Sequence, residues 1–324
     1  MELTGNESAR DALASAMASG ALHHAWLIAG PEGVGKARFA RAAALRMLAE
    51  AAEPHKLSPG WDVPETTQAA HLIAAGAHPD YRELVRLPKD ADKPGEALAR
   101  SITIAQVRSL QTLFATKPSL SSRRVIVIDS IDDLERGGAN ALLKNLEEPP
   151  AGTIFLLVSH APGRLLPTIR SRCRLLRFEA LTDAQVAGIL RAELPDATPA
   201  EVEALVRAGE GSPGRAIGFA GLDLAALEGD MASLAQTGDP GNALRGRLAK
   251  QLGLKAAQPR YEAFLERAPS FIAARAKVLQ GEPLRTALDA YDAARELAGA
   301  ATGLSLDAGA TVYEMSGLIA RLAR

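Results

Sequence analysis

The stretch Gly30–Ala37, GPEGVGKA, constrains this 324-residue chain more than any other. Gly30, Gly35 and Lys36 satisfy G-x-x-x-x-G-K, with Gly33 as an extra flexible point and Val34 between them. Such glycines let backbone N–H groups curl round phosphate oxygens, and the helix that follows adds its positive end. The pattern has meaning only between a strand and a helix. The apolar run Ala25–Ala29 (AWLIA) supplies the strand, and the Ala-, Arg- and Leu-rich stretch from Ala37 to about Glu50 supplies the helix. Lys36 would then reach the β- and γ-phosphates of a nucleotide. Ala37 is the odd letter. It stands where such a loop carries Ser or Thr, whose hydroxyl helps hold magnesium. The plainer alternative is a glycine-rich turn with a surface lysine.

Further strands follow. Arg124–Asp129 (RVIVID) is a β-branched run ending in an acid, Thr153–Ser159 (TIFLLVS) is continuously apolar, and Cys173–Phe178 is a last strand. His78–Arg86 reads as extended. Between these lie helical patterns over Ile102–Thr116, Ala139–Glu148 (stopped by Pro149-Pro150) and Leu165–Arg170. Asn6–Ser19 reads as a helix with Asn6 or Ser8 as its cap, Pro54–Pro64 as a loop and Pro88–Gly95 as a charged surface loop. Strands that are apolar throughout and alternate with helices argue for a parallel sheet covered on both faces. After about Glu179 the strands stop. Three short helices are predicted over Thr182–Ala192, Thr198–Gly209 and Pro213–Ala220. Amphipathic helix follows from Leu224, broken at Gly238–Gly241 and Gly281–Pro283. The expectation is an α/β domain over 1–179, a small helical domain over 180–222 and a larger all-α domain over 223–324.

Composition narrows the function classes. The net charge is −1 and the pI about 6.6, without the basic footprint of a protein that holds DNA by itself. The single cysteine, Cys173, excludes an internal disulfide and a multi-cysteine zinc site. No apolar run reaches the length of a membrane span, and MELTGNESAR has no signal pattern, so a cytoplasmic protein without membrane contact is the default expectation.

Two positions bear on whether the loop hydrolyses anything. Asp129 ends its strand where a magnesium-associated aspartate belongs, with a cap of the turn that follows as the lesser alternative. The next position, where a hydrolysing enzyme of this architecture places a glutamate to orient water, is Ser130. A neutral hydroxyl is a poor base. Asp132 and Asp133 lie a few positions on and should point elsewhere. Ala37 and Ser130 together argue against intrinsic ATP hydrolysis. In TIRSRCR, Arg170, Arg172 and Arg174 alternate ahead of the last strand. An arginine at a sheet rim can stabilise charge in a neighbouring subunit's phosphoryl-transfer site. By periodicity alone, however, three solvated or salt-bridged arginines are the ordinary reading.

GPEGVGK, HPDY, VIVIDSID, NALLKNLEEPP, LLPTIRSRCR and EGSPGRA, in this order, resemble the delta-prime family of bacterial DNA polymerase III clamp-loader subunits. The resemblance covers about Ala21–Ala220. NALLKNLEEPP and Ser171-Arg172-Cys173 are its most specific parts, and the gamma/tau ATPase subunits share them. It implies an AAA+ P-loop domain, a helical lid and a helical collar through which subunits assemble. It implies a non-hydrolysing stator in a ring with gamma/tau and delta subunits, loading a sliding clamp onto primed DNA. Arg172 would act as an arginine finger in trans, at the ATP site of a gamma/tau neighbour. Arg215 resembles a lid arginine facing nucleotide, with lid–core packing an equal alternative. Gly30, Gly33, Val34, Gly35, Lys36, Ala37, Asp129 and Arg215 would then form a degenerate nucleotide site, requiring no cofactor but allowing weak ATP or ADP binding.

One departure stands out. Many relatives carry four cysteines holding zinc between the loop helix and the HPD segment, and here residues 50–78 contain none. His55 and His71 are too few for a structural zinc, so no zinc is expected. An active gamma/tau-type ATPase is the alternative reading, and it would want Ser or Thr at 37 and Glu at 130. A P-loop kinase would not explain the Ser171–Cys173 segment or the long helical C-terminal region.

Overall fold

The computed structural model describes residues 3–90, 98–304 and 306–323. Residues 91–95 of the expected surface loop lie outside them. The chain divides into two compact units, Met1–Pro195 with Glu210–Arg215, and Asp196–Gly209 with Ala216–Arg324.

The first unit is built in the order α1 (Glu7–Ala18), β1 (Ala25–Ala29), α2 (Lys36–Ala52), α3 (Gln68–Ala74), β2 (Tyr81–Val85), α4 (Ile104–Phe114), β3 (Arg124–Asp129), α5 (Arg136–Glu147), β4 (Thr153–Ser159), α6 (Pro167–Arg170), β5 (Arg174–Arg177) and α7 (Asp183–Glu193). The strands form one sheet in the order β2-β3-β4-β1-β5. Every pairing is parallel. The expected parallel sheet, with the glycine-rich loop between β1 and α2 and helices on both faces, is the one present.

Alternation along each strand splits the core in two. Trp26, Ile28, Val125, Val127, Leu156, Val158 and Leu176 face α1 and α2, where Leu13, Phe39 and Met47 meet them. Leu27, Ile126, Ile128, Phe155 and Leu157 face α4 and α5, against Val107, Leu110, Leu142 and Leu146. The continuous apolar runs of β1, β3 and β4 are therefore a consequence of helices on both faces.

Local signals fix the helix ends. Thr103 and Gln106 form a capping box on α4, and Thr182 with Gln185 forms another on α7. Asn6 precedes α1, but its side chain does not cap it. Instead its amide is spent on the backbone after β5, accepting from Glu179 N–H at 2.7 Å and donating to Glu179 O at 3.2 Å. The His78–Arg86 stretch yields the shorter β2, because His78 and Asp80 turn inward. Asp80 is fully buried beside Arg124, 3.5 Å away, which opens β3 at 1% exposure. The Asp80 carboxylate accepts from Ser119 N–H at 2.8 Å and Leu120 N–H at 2.8 Å, pinning the loop between α4 and β3.

In the second unit come α8 (Pro199–Gly209), α10 (Leu224–Thr237), α11 (Ala243–Leu252), α12 (Gln258–Ala276), α13 (Gly281–Leu304) and α14 (Ala308–Ala320), with α9 (Pro213–Gly218) beginning in the first unit and ending in the second. The stretch read as a lid, 180–222, thus gives α7 and residues 210–215 to the first unit and α8 to the second. α14 is buried on most of its circumference, through Val312, Met315, Leu318 and Ile319, and packs against α10, α11, α12 and α13. Ala287, Ala290, Ala294 and Ala301 are buried at helical spacing on α13, which lets neighbouring backbones approach closely. The break expected at Gly281–Pro283 lies just upstream. Pro283 sits in the first turn of α13, where its missing N–H costs no intrahelical bond. Among the described residues no helix is long and apolar enough to cross a membrane.

Replacing Asp80 with Ala would leave Arg124 buried without its counter-charge and two loop N–H groups without an acceptor. Urea unfolding of Asp80→Ala is expected to show a loss of about 3–5 kcal/mol.

Candidate functional site

The loop leaves β1 at Gly30 and enters α2 at Lys36. Gly33 and Gly35 have φ of +74° and +97°, values that side-chain-bearing residues rarely adopt. Gly33 has a second requirement. A Cβ there would lie 2.2 Å from Ser212 Oγ and 2.9 Å from Arg215 N, so the segment Ser212–Arg215 presses directly on the loop. Two hydrogen bonds hold it: Ser212 Oγ donates to Glu32 O at 2.8 Å, and Gly214 N–H donates to Gly33 O at 2.9 Å. Arg215 is brought to the loop by its backbone, while its guanidinium pairs with Glu210 at 3.0 Å. Of the two alternatives for Arg215, the backbone contact is a packing one.

Lys36 is 2% exposed. Its ammonium donates to Gly30 O at 2.7 Å and also to Pro31 O, so it is folded back onto the loop's own carbonyls. Burial lowers its pKa to about 8, against the opposing pull of Glu32, Asp132 and Asp129. Val34 is buried beneath the loop and Gly35 is exposed at its tip.

Asp129 does not stand free at the end of β3. Arg41, on α2, donates from Nη2 to Asp129 Oδ2 at 3.0 Å and from Nε to Glu83 Oε1 at 2.7 Å. Tyr81 OH donates to the other Glu83 oxygen at 3.1 Å. Burial raises the Asp129 pKa, Glu83 adds to the rise, and Arg41 opposes it. Burial together with Glu83 and Asp129 likewise drives the Tyr81 hydroxyl well above its ordinary range.

The positions after Asp129 are spent on structure. Ser130 is 2% exposed, with a buried Oγ that has no hydrogen-bond partner. Asp132 accepts from Ser159 Oγ at 3.0 Å, His160 N–H at 2.7 Å and Ala161 N–H at 3.2 Å, closing the end of β4. Asp133 pairs with Arg86 at 3.1 Å. Their spacing from the strand predicts that both point elsewhere, yet Asp132 lies close enough to Lys36 to favour its charged form. Ala37 offers no side-chain oxygen at the start of α2, and the Asp129 carboxylate holds a guanidinium.

Arg172 lies elsewhere. The parallel pairing sets Trp26 beside Arg174, which puts Arg172 level with the start of β1. The loop follows the end of β1, about 20 Å away along the strands. Arg172 is half-exposed, donating from Nη1 to Thr168 O at 2.8 Å and pairing through Nη2 with Glu147 at 2.7 Å. Its neighbour Cys173 is turned inward, donating to Ile169 O at 3.2 Å, and burial pushes the thiol up to about 12.

Residues 50–78 are held by organic contacts. Arg46 donates to Ser58 O at 2.7 Å and Asp62 O at 3.1 Å while pairing with Glu50 at 2.7 Å. Trp61 packs edge-on against Phe39, ring centroids 5.1 Å apart. Among the described residues no group of three or more His, Cys, Asp or Glu side chains gathers as for a metal ion.

A family model for DNA polymerase III, delta subunit, matches residues 5–182. The chain belongs to that family. It is 36% identical over 205 residues to the DNA polymerase III subunit delta' of Pseudomonas aeruginosa, across 63% of this chain and 58% of that protein. The corresponding subunit of Escherichia coli is 33% identical over 205 residues, across 63% of this chain and 57% of that one. Escherichia coli DNA polymerase III subunit tau is 29% identical over 275 residues, across 84% of this chain and 39% of its own length. The chain therefore spans less than two thirds of the length of these relatives. The delta-prime resemblance read from the motifs is borne out at the level of family.

Within this delta-family chain the sequence motifs single out the loop, Asp129, Arg172 and Arg215, and they miss Arg41. Arg41 is one of several arginines in α2, and only the register of β2 and β3 beneath the helix distinguishes it. Because Gly33 combines a positive φ with contact against Ser212, Gly33→Ala is expected to lower stability by about 1–3 kcal/mol. Thermal or urea unfolding beside Gly76→Ala, a positive-φ site with nothing within 4 Å, separates the contact from the backbone effect.

Proposed function

We propose that this chain is a non-hydrolysing, delta-prime-type subunit of the DNA polymerase III clamp loader. In this reading it helps load the sliding clamp onto primed DNA and lends Arg172 to the ATP site of a gamma/tau neighbour. The observation that carries the reading is the placement of the two motifs at opposite ends of one parallel sheet. An arginine level with the start of β1 cannot serve a loop at the end of β1, so any phosphate it meets belongs to another molecule. Its own loop is meanwhile committed inward, with Lys36 on backbone carbonyls, Arg41 on Asp129 and Ser130 buried.

The Arg172–Glu147 pair suits a residue held in reserve. Half-exposed pairs are weak, and a phosphate group offers a stronger partner for a guanidinium than a solvated carboxylate. Contact with gamma/tau, delta, clamp and DNA belongs to the assembled complex, consistent with a net charge of −1. The reading requires neither a resident zinc nor a nucleotide in this chain's loop. It places residues 1–179 as the AAA+ domain, 180–222 as the lid and 223–324 as the collar.

The test is ATP turnover by the purified chain alone, then with gamma/tau, delta, clamp and primed DNA. The isolated chain should be inactive, and substantial turnover would sink the reading. In the complex, Arg172→Ala and Arg172→Lys are expected to slow hydrolysis at the neighbouring site by about 10³-fold or more, with assembly unchanged by gel filtration. Unchanged hydrolysis would remove Arg172 from the role.

A further inference from the structure

Glu83 and Asp129 lie on adjacent strands and on the same face of the sheet, the face that α2 covers. The register pairs Glu83 with Val127 and Val85 with Asp129, so the two carboxylates are one pleat apart. Neighbouring carboxylates at the mouth of a phosphate loop repel one another unless a cation lies between them, and two such groups make a hard-oxygen site for a divalent ion. Here the cation is covalent. The planar guanidinium of Arg41 gives Nε to Glu83 and Nη2 to Asp129, at 2.7 and 3.0 Å. A forked donor with fixed geometry can satisfy two carboxylates at once in a way that a lysine cannot. Tyr81 fixes the far oxygen of Glu83, so the acid cannot swing away to meet another partner.

Arg41 lies five residues after Lys36 on the same helix, so the helix that begins at the loop also delivers the cation. We propose that Arg41 is the resident cation of this site, holding Glu83 and Asp129 so that divalent metal is excluded from the mouth of the loop. Any phosphate group the loop accepts is then bound without magnesium. This inference rests on the non-hydrolysing reading but adds a cause to it. Restoring Ser or Thr at position 37 and Glu at position 130 would be insufficient while Arg41 remains.

The test uses the full chain and Mn2+ alone, followed by the loss of the free-ion signal in electron paramagnetic resonance. The wild-type chain should leave Mn2+ free. Arg41→Ala should bind one Mn2+ about tenfold more tightly or better, and Arg41→Ala with Asp129→Asn should lose it again. Arg41→Lys, which keeps the charge without the fork, should fall between. If Arg41→Ala loses its circular-dichroism signature, Arg41→Gln takes its place, since it keeps a donor without the charge. Wild-type binding of Mn2+ that Asp129→Asn abolishes would overturn the proposal. So would a folded Arg41→Ala or Arg41→Gln chain that binds no more Mn2+ than wild type. No nucleotide is present, so failure here is distinct from failure of the non-hydrolysing reading, which shows itself as ATP turnover.

Discussion

The parallel register of β1 with β4 and β5 sets where everything else in the first unit can act. In a parallel sheet every strand ends on the same side, and the turns that lead into helices gather there. That side receives the glycine-rich loop after β1, Asp129 at the end of β3 and the Ser159–Ala161 turn at the end of β4. The opposite side receives the chain that enters each strand, including Arg172 ahead of β5 and His24 ahead of β1. The separation cannot be closed by side-chain motion, because about 20 Å of hydrogen-bonded strand lies between. A chain built this way keeps Arg172 out of reach of its own glycine-rich loop.

Arginine recurs as the means by which this chain settles its buried and half-buried acids. Arg124 answers Asp80 in the core, Arg41 answers Glu83 and Asp129 at the loop, and Arg46 answers Glu50 while holding two carbonyls of the 50–78 segment. In the second unit Arg267, 8% exposed, pairs with Glu228 at 2.9 Å and donates to Ala208 O at 3.2 Å. A guanidinium stays charged at any accessible pH and carries five donors in one plane, so it can neutralise an acid and satisfy backbone oxygens together. With few aromatic residues to fill space and one cysteine, the chain fixes its loops with such forks. In the 50–78 segment Arg46 holds two backbone carbonyls and Trp61 packs on Phe39.

The architecture was legible because it rests on patterns that run along the chain. Apolar runs at β1, β3 and β4, helical spacing over Ile102–Thr116 and the glycine spacing of the loop each depend on residues close in sequence. Asn6, Arg41 and Arg124 were not legible for the opposite reason. Each has a role set by a partner brought near by the sheet: Glu179 for Asn6, Glu83 and Asp129 for Arg41, Asp80 for Arg124. Arg124 reads as the polar start of a strand, yet it is among the most buried side chains described. Asp132 shows the intermediate case. Its offset says only that it lies beyond the end of β3, and the β4 neighbour reveals that it caps Ser159–Ala161.

Arg41 and Arg172 both pair with carboxylates, Arg41 being the more exposed of the two, and they differ in what competes for them. Arg41 contacts two acids from separate strands, and Tyr81 holds one of those acids in place. Releasing it would leave two neighbouring negative charges facing each other, so the pairing reinforces itself. Arg172 contacts one half-exposed acid and one carbonyl, Glu147 and Thr168, and Glu147 can return to water when the guanidinium leaves. The first arrangement is suited to staying closed, and the second to exchange. The loop that draws the eye in the sequence is therefore the more fixed of the two features, and the arginine beyond it is the one free to change partners.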